Sequence, residues 1–456
     1  MKSGRVSAAG WLLAALSFAL LALSPMQGIQ RELQLFFAAT VFVIVIMAFE
    51  LLPVLVSAVL LPALYTLLGV VTAETAFSSW TNDTVWMILG GLVLSTALDE
   101  CGLLKRIAYY VICKCGGTYR GTVFGCFLVG IILNIVTFCN GWIVTCALVY
   151  GVCHAMDLKP GKEAALLCFA GAVGSNGSVV MLYHPGFVSM MESALGELIP
   201  GYAMGFFTPF LYNWSFALWC CLSFLIIMKL YGLGKGEFGR ELFRERYRAL
   251  GKMSAREKRA AVYAAVLMLY LCTAQFTRLP AAWGFMLIPY LMFFPGIGVN
   301  DGSAIKKMNL SMVFFVATCL GIGTVGSAVG FGDFLTGAAL PLLTGKSELL
   351  VCLALLLFGT AANLVMTPLA MLGGLSLPFA QTAMALGVNP VAACMILLFS
   401  CELVFFPYES SGNLIMYSYG LMPMKEFIKQ NTLKTVLSIV GFTVIMYPLW
   451  KFTGLL

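Results

Sequence analysis

The stretch Phe406-Pro407-Tyr408-Glu409-Ser410-Ser411-Gly412-Asn413 lies between two apolar runs, Val391 to Phe406 and Leu414 to Met422. A helix needs about 20 residues to cross a bilayer, and neither run does so comfortably alone. Together they read as one span interrupted in its middle. Pro407 removes a backbone donor and Gly412 loosens the turn, so several N–H and C=O groups lose their intrahelical partners at membrane depth. Backbone of this kind persists in hydrocarbon only where it lines a polar cavity or meets a ligand, because each orphaned group costs several kcal/mol there. The stretch is therefore read as part of a substrate site.

The rest of the chain agrees with a membrane setting. Its 456 residues are 61% hydrophobic and only 10% charged, with a mean hydropathy of +0.95, too little polar surface to cover a soluble globule. The expected fold class is an all-α polytopic membrane protein with 11 transmembrane helices and two re-entrant hairpins. The cysteines lie mostly inside apolar runs (Cys126, Cys146, Cys168, Cys319, Cys352, Cys394), where a reduced thiol behaves as a small hydrophobe. There is no CxxC pair, no HExxH and no glycine-rich phosphate loop, and His154 and His184 are the only histidines. Cofactors are not expected.

An N-terminal helix occupies 1–32, followed by a first repeat over 33–230, a basic linker over 231–259 and a second repeat over 260–456. Each repeat is expected to hold a hairpin (about 122–155 and 347–386) and a broken helix (about 164–191 and 391–422). The first hairpin is marked by Thr137-Phe138-Cys139-Asn140-Gly141, and the first break by Tyr183-His184-Pro185-Gly186. The linker carries Lys235, Arg240, Arg244, Arg246, Arg248, Lys252, Arg256, Lys258 and Arg259. Between two membrane spans, this density is an orientation signal and not a nucleic-acid surface. With an inward N-terminus, only Arg31, Arg278, Lys346 and Lys451 of the 27 Lys and Arg fall outside. The C-terminus is then extracytoplasmic, and the chain is expected in the cell (inner) membrane.

Internal repetition is the stronger signal. Phe49-Glu-Leu-Leu52-Pro53 returns as Phe276-Thr-Arg-Leu279-Pro280, and Pro62 as Pro289, at one offset of 227 that also carries Asn140 onto Thr367 and Pro185 onto Gly412. Five crossings separate the repeat starts, so the copies are inverted. Inverted repeats with discontinuous helices meeting near the midplane describe secondary transporters.

These residues resemble a known family, the divalent anion:sodium symporters that carry dicarboxylates, citrate and sulfate. Phe49-Glu50-Leu-Leu-Pro53 is similar to its W-x-x-E-x-x-P segment. Gly90-Gly91, followed by Gly102-Leu-Leu-Lys105-Arg106-Ile-Ala, is similar to its G-G…G-L-x-x-R-I-A segment. Pro407-Tyr-Glu-Ser410-Ser-Gly412-Asn413, followed by Ser418-Tyr-Gly420, is similar to P-x-x-T-P-P-N…S-G. The resemblance implies a homodimer in which a scaffold stays fixed while hairpins and broken helices move as an elevator. It also implies two S-N-T hairpin tips that bind substrate carboxylate and sodium. Here the first tip is Cys139-Asn140-Gly141, the second falls at Thr367-Pro368 with Asn363 four residues earlier, and the first T-P-P-N is replaced by Tyr183-His184-Pro185-Gly186. Lost hydroxyls at both tips leave the coupling ion open among sodium, protons and exchange.

Helix ends aimed at a shared cavity present free N–H groups and about half a positive charge each, so a carboxylate can be held without a buried Arg or Lys. The substrate-binding candidates are Asn140, Gly141, His184, Pro185, Thr367, Ser410, Ser411, Gly412 and Asn413. The asparagines either bind substrate or cap their half-helices. His184 either titrates at the first break or packs there as a neutral ring. Asn140, Asn363, Thr367, Glu402 and Glu409 are the candidates for the coupling ion. A charged Glu409 about 5 Å from a substrate carboxylate would be repelled by roughly 3 kcal/mol, about two decades of affinity. It therefore carries the coupling proton, helps to hold the coupling cation, or is turned away and bonded to freed backbone. Glu402 and Glu409 share a helical face if the helix reaches that far, and Glu50 is read as scaffold.

The expected function is secondary active transport of a small divalent anion. A cation/proton antiporter using Glu402 and Glu409 is the alternative. No paired histidines, Asp-rich motif or nucleophile constellation points to an enzyme.

Overall fold

The computed structural model describes residues 4–24, 28–49, 51–115, 118–231, 240–277 and 279–456. Glu50, Lys235 and Arg278, named above, lie outside these. The fold is all-α, with no strand among the described residues.

Helix α1 (Gly4–Leu23) comes first. Then follow α2 (Arg31–Ala48), α3 (Val54–Leu67), the short α4 (Ala73–Phe77), α5 (Asp83–Glu100), α6 (Leu103–Cys115), α7 (Tyr119–Thr137), α8 (Trp142–Ala155), α9 (Lys162–Val179), α10 (Pro185–Leu198) and α11 (Thr208–Leu230). After α12 (Arg240–Ala249) come α13 (Ala255–Thr277), α14 (Ala281–Leu291), α15 (Gly302–Ile305), α16 (Ser311–Ala328), α17 (Phe331–Leu343), α18 (Glu348–Asn363) and α19 (Pro368–Ala385). The chain ends with α20 (Pro390–Ser400), α21 (Ser411–Ser418), α22 (Met424–Gly441) and α23 (Tyr447–Thr453). The helices Tyr119–Thr137, Thr208–Leu230 and Ser311–Ala328, and the continuous run Met424–Thr453, are each long and apolar enough to cross a membrane alone.

Shifted by 227 positions, the starts of α3, α5, α6 and α8 fall within one residue of the starts of α14, α16, α17 and α19. Pro62 sits inside α3 and Pro289 inside α14. Packing is exchanged between the two sets: α14 lies on α5 and α16 on α3, while α10 lies on α19 and α21 on α8. Reciprocal exchange of this kind is what a two-fold relation between repeats requires. One of these contacts, α5 on α14, and one inside the second set, α16 on α19, are backbone to backbone. A Cβ on Gly90 would fall 2.0 Å from the Phe285 carbonyl oxygen, and one on Gly323 would fall 2.3 Å from that of Gly373. Glycine is what lets α5 meet α14 and α16 meet α19 so closely.

Three elements differ from the sequence reading. The helix entering the second break ends at Ser400, so non-helical backbone begins at Cys401, six residues before Pro407. The apolar run to Phe406 is therefore not all helix, and Glu402 and Glu409 do not share a helical face. The last apolar run, Val436 to Trp450, reads as a final helix after a loop carrying Lys425, Lys429 and Lys434; α22 instead starts at Met424 and takes in all three lysines. The basic linker, in turn, contains α12 and the start of α13. It is tied to α6 by Arg106, whose guanidinium donates to Glu257 Oε1 at 2.7 Å and to the carbonyls of Gly251 and Leu250 at 2.9 and 3.1 Å.

Candidate functional site

The first tip is built by the connection between α7 and α8. Phe138 and Cys139 both adopt left-handed backbone, with φ of 52° and 67°. This is costly for residues bearing a side chain and persists only where the surroundings enforce it. Asn134, buried in the last turn of α7, supplies the constraint. Its Nδ2 donates to the Ser175 carbonyl at 2.5 Å and to Ser178 Oγ at 3.1 Å, and its Oδ1 accepts from the Gly141 N–H at 3.2 Å. The tip is thus pinned to α9 in its own repeat. Asn140 turns its amide toward the Thr137 and Phe138 carbonyls at 3.4 and 3.2 Å and faces Gly91 of α5.

Opposite this tip, α21 begins at Ser411. Gly412 lies against Asn176 Oδ1 and Trp142, Cys146 Sγ donates to the Gly412 carbonyl at 3.5 Å, and Asn176 Nδ2 donates to Asn413 Oδ1 at 3.1 Å. Two helix N-termini, those of α8 and α21, therefore meet at one place, accompanied by the amides of Asn140, Asn176 and Asn413. Of the residues named in this group none is acidic or basic. A helix start offers unpaired N–H groups and a partial positive charge. Two of them with three neutral amides make a donor-rich, uncharged environment, chemically able to accept an anion.

The second group lies at the other repeat's hairpin. Glu409, 1% exposed, accepts from the backbone N–H groups of Phe405 and Phe406 through Oε1, at 3.0 and 2.6 Å. It thereby satisfies donors left free by the break. Its Oε2 accepts from Asn363 Nδ2 at 3.4 Å, and Asn363 Oδ1 is buried without a hydrogen-bond partner among the described residues. Glu402 is turned elsewhere and pairs with Lys434, Oε2 to Nζ, at 3.0 Å.

The remaining candidates serve as caps. His184 accepts from the Phe187 N–H through Nδ1 at 3.2 Å and stacks on that ring, while Pro185 takes the first turn of α10. Thr367 is exposed, and its hydroxyl caps α19 by accepting from the Ala370 N–H at 3.4 Å. The structure thus brings Asn140, Gly141, Gly412 and Asn413 into one group, with Ser410 and Ser411 at its edge, and Asn363 and Glu409 into another. His184, Pro185 and Thr367 sit at helix starts. A cavity of about 600 Å3 between α5, α10 and α14, lined by Asp83, Tyr183 and Glu192 among others, contains neither hairpin tip.

Sequence reasoning passed over Asn134, Asn176 and Lys434. The first two had a signal: each is an asparagine inside an apolar helix, within a few residues of a break.

Residues 7–456 match the model of a family described as the sodium:sulfate symporter transmembrane region. A stretch of 69 residues, 15% of this chain, is 36% identical to the sodium-dependent high-affinity dicarboxylate transporter 3 of Caenorhabditis elegans and covers 12% of it. Another match, 31% identical over 64 residues, is to the sodium-dependent low-affinity dicarboxylate transporter 1 of the same organism, covering 14% of this chain and 11% of that protein. The chain therefore spans only about an eighth of the length of these relatives. Among solved structures, the Alcanivorax borkumensis YdaH transporter, reported to have an unusual topology, is similar with a TM-score of 0.53 at 15% identity. That likeness covers 99% of this chain and 98% of that one, and it concerns the fold.

Proposed function

Since the chain belongs to the sodium:sulfate symporter family, a family of multi-pass membrane transporters, we propose that it carries a small divalent anion, a di- or tricarboxylate or sulfate, together with sodium. The observation that carries this reading is the convergence of the α8 and α21 N-termini on Asn140, Asn176 and Asn413 without a fixed charge. One carboxylate of the anion accepts from the free N–H groups of Ser411, Gly412 and Asn413 and from the asparagine amides. The names of the relatives favour a dicarboxylate.

Glu409 immediately precedes that anion site and would repel its occupant. A cation held by Glu409 Oε2 and the unpartnered Asn363 Oδ1 removes the repulsion. Two oxygens, one of them anionic, are a donor set that suits a hard cation such as sodium. Loading the cation then raises affinity for the anion by up to about two decades, which is coupling. Movement follows as an elevator: α7 to α11 and α18 to α23 shift against the glycine-lined faces of α5 and α16, in a homodimer with the N-terminus cytoplasmic.

The test is uptake into liposomes holding the purified chain, with labelled succinate, citrate and sulfate in turn, under an imposed sodium gradient and under an imposed pH gradient. Sodium-driven uptake of one of them is expected. Uptake driven by the pH gradient alone would place a proton on Glu409 in place of sodium, and uptake of none would overturn the reading.

A further inference from the structure

Lys434 and Glu402 are buried together at the second break, and the anion and cation sites above do not use them. Their relative exposures are 5% and 4%, with 3.0 Å between Nζ and Oε2. Glu402 lies at the start of the second break, close to Gly177 of α9, while Lys434 comes from the second half of α22. Thr435 fastens the same turn of α22 to the break by donating to the Val404 carbonyl at 3.2 Å. The second break therefore holds two carboxylates and one ammonium. Glu426, the other acidic group on the inward stripe of α22, is eight residues from Lys434, about 12 Å along the helix.

The first repeat carries none of this. At the offset of 227, Glu402 corresponds to Ser175, Glu409 to Leu182 and Lys434 to Phe207. One break is neutral and the other bears a net single negative charge. A buried charge pair alone gains little over apolar packing, whereas one partner without the other is strongly unfavourable. Here the pair stands next to a third charge that needs a mobile partner.

We propose that Lys434 is a tethered counter-ion that holds the second break at one net negative charge, so that a single monovalent cation loads there with each anion. Because the ammonium is bound to α22, it cancels Glu402 without dissociating and without being carried as cargo. The inference rests on the reading that Glu409 and Asn363 hold the coupling cation.

The test is sodium binding to the purified full chain, read as the sodium-dependent rise in melting temperature against choline. Wild type is expected to saturate as a single site. Glu402→Gln makes the break neutral and should weaken sodium binding about tenfold or more. Lys434→Met leaves two uncompensated carboxylates and should add a second sodium to the titration. The double variant Glu402→Gln with Lys434→Met restores one net negative charge and should return sodium affinity to within about threefold of wild type, a small shift on the scale of tenfold steps. Lys434→Arg should leave it unchanged. A purely structural salt bridge would lower melting temperature in the single variants while leaving sodium affinity alone, and that result overturns the proposal. If the single variants do not fold, the double variant still tests the proposal, because failure to bind sodium like wild type overturns it as well. Glu409→Gln is the separate arm: sodium binding that survives it sinks the coupling-site reading itself. Loss there, with Glu402→Gln unaffected, sinks only the counter-ion.

Discussion

Asn176 Nδ2 donates to Asn413 Oδ1 across 3.1 Å, joining α9 of one repeat to α21 of the other. The side-chain oxygen of Asn413 is thereby committed, which leaves its amide N–H groups as its donors. Asn413→Ala is expected to raise KM for uptake about ten- to a hundredfold, the loss of one or two hydrogen bonds to a charged group. Asn176→Ala should act in the same direction, and the double variant should cost less than the sum, since the two residues form one unit. Uptake kinetics of the three variants check this, and strictly additive effects would mean that the asparagines act separately.

How far the sequence reaches is visible in these same elements. The second interruption is legible because Pro407 and Gly412 stand in an otherwise apolar stretch, and the repeat because prolines and hairpins recur at one offset. The family follows from those motifs. The true length of the break is not legible, since no breaker stands at Cys401. The helix stops there because Glu402 is drawn to Lys434 and because Glu409 takes the Phe405 and Phe406 N–H groups. Lys434 reads as the end of a basic loop, and its burial depends on a partner 32 positions away. The spacing of Glu426, Gln430, Lys434 and Ser438, every fourth residue, was the available sign of a polar stripe on a helix.

The first hairpin tip has no room for a side chain at Gly141. A Cβ there would lie 2.8 to 2.9 Å from the backbone of Leu133, and the N–H of the same residue is held by Asn134. Gly141→Ala should push the tip off the last turns of α7, break its bond to Asn134 and lower stability by about 1–3 kcal/mol. Melting temperature in detergent reads the stability, and anion uptake should fall with it. An unchanged melting temperature would show that the tip adjusts freely.

Gln430 is completely buried on α22, and neither its Oε1 nor its Nε2 has a hydrogen-bond partner among the described residues. An unsatisfied buried amide is more costly than an apolar group of the same shape. Gln430→Met is therefore expected to stabilise the chain by about 1–3 kcal/mol, seen as a higher melting temperature. A lower melting temperature would mean that enclosed water satisfies the amide.

Arg106 binds Glu257 through two bonds, Nε to Oε1 at 2.7 Å and Nη2 to Oε2 at 3.1 Å, and the Ser254 N–H adds a third at 2.6 Å. The Arg106 guanidinium chiefly, helped by Ser254 and opposed by burial, holds the Glu257 carboxyl below its ordinary value of 4.5. A carboxyl depressed in the folded state contributes stability that is fully present above its unfolded value and is lost as the pH falls through the folded one. The stabilisation is therefore complete at neutral pH and disappears only below 4.5. Glu257→Gln keeps the shape of the side chain but cannot lose a charge. Melting temperatures of wild type and Glu257→Gln, compared from about pH 7 down to about pH 3.5, should differ most at the neutral end and converge in acid. Convergence is specific to this pair, because every other carboxylate titrates alike in both proteins. A gap that stays constant through the acid range would show that Glu257 holds the segment between the repeats by packing and not by its charge.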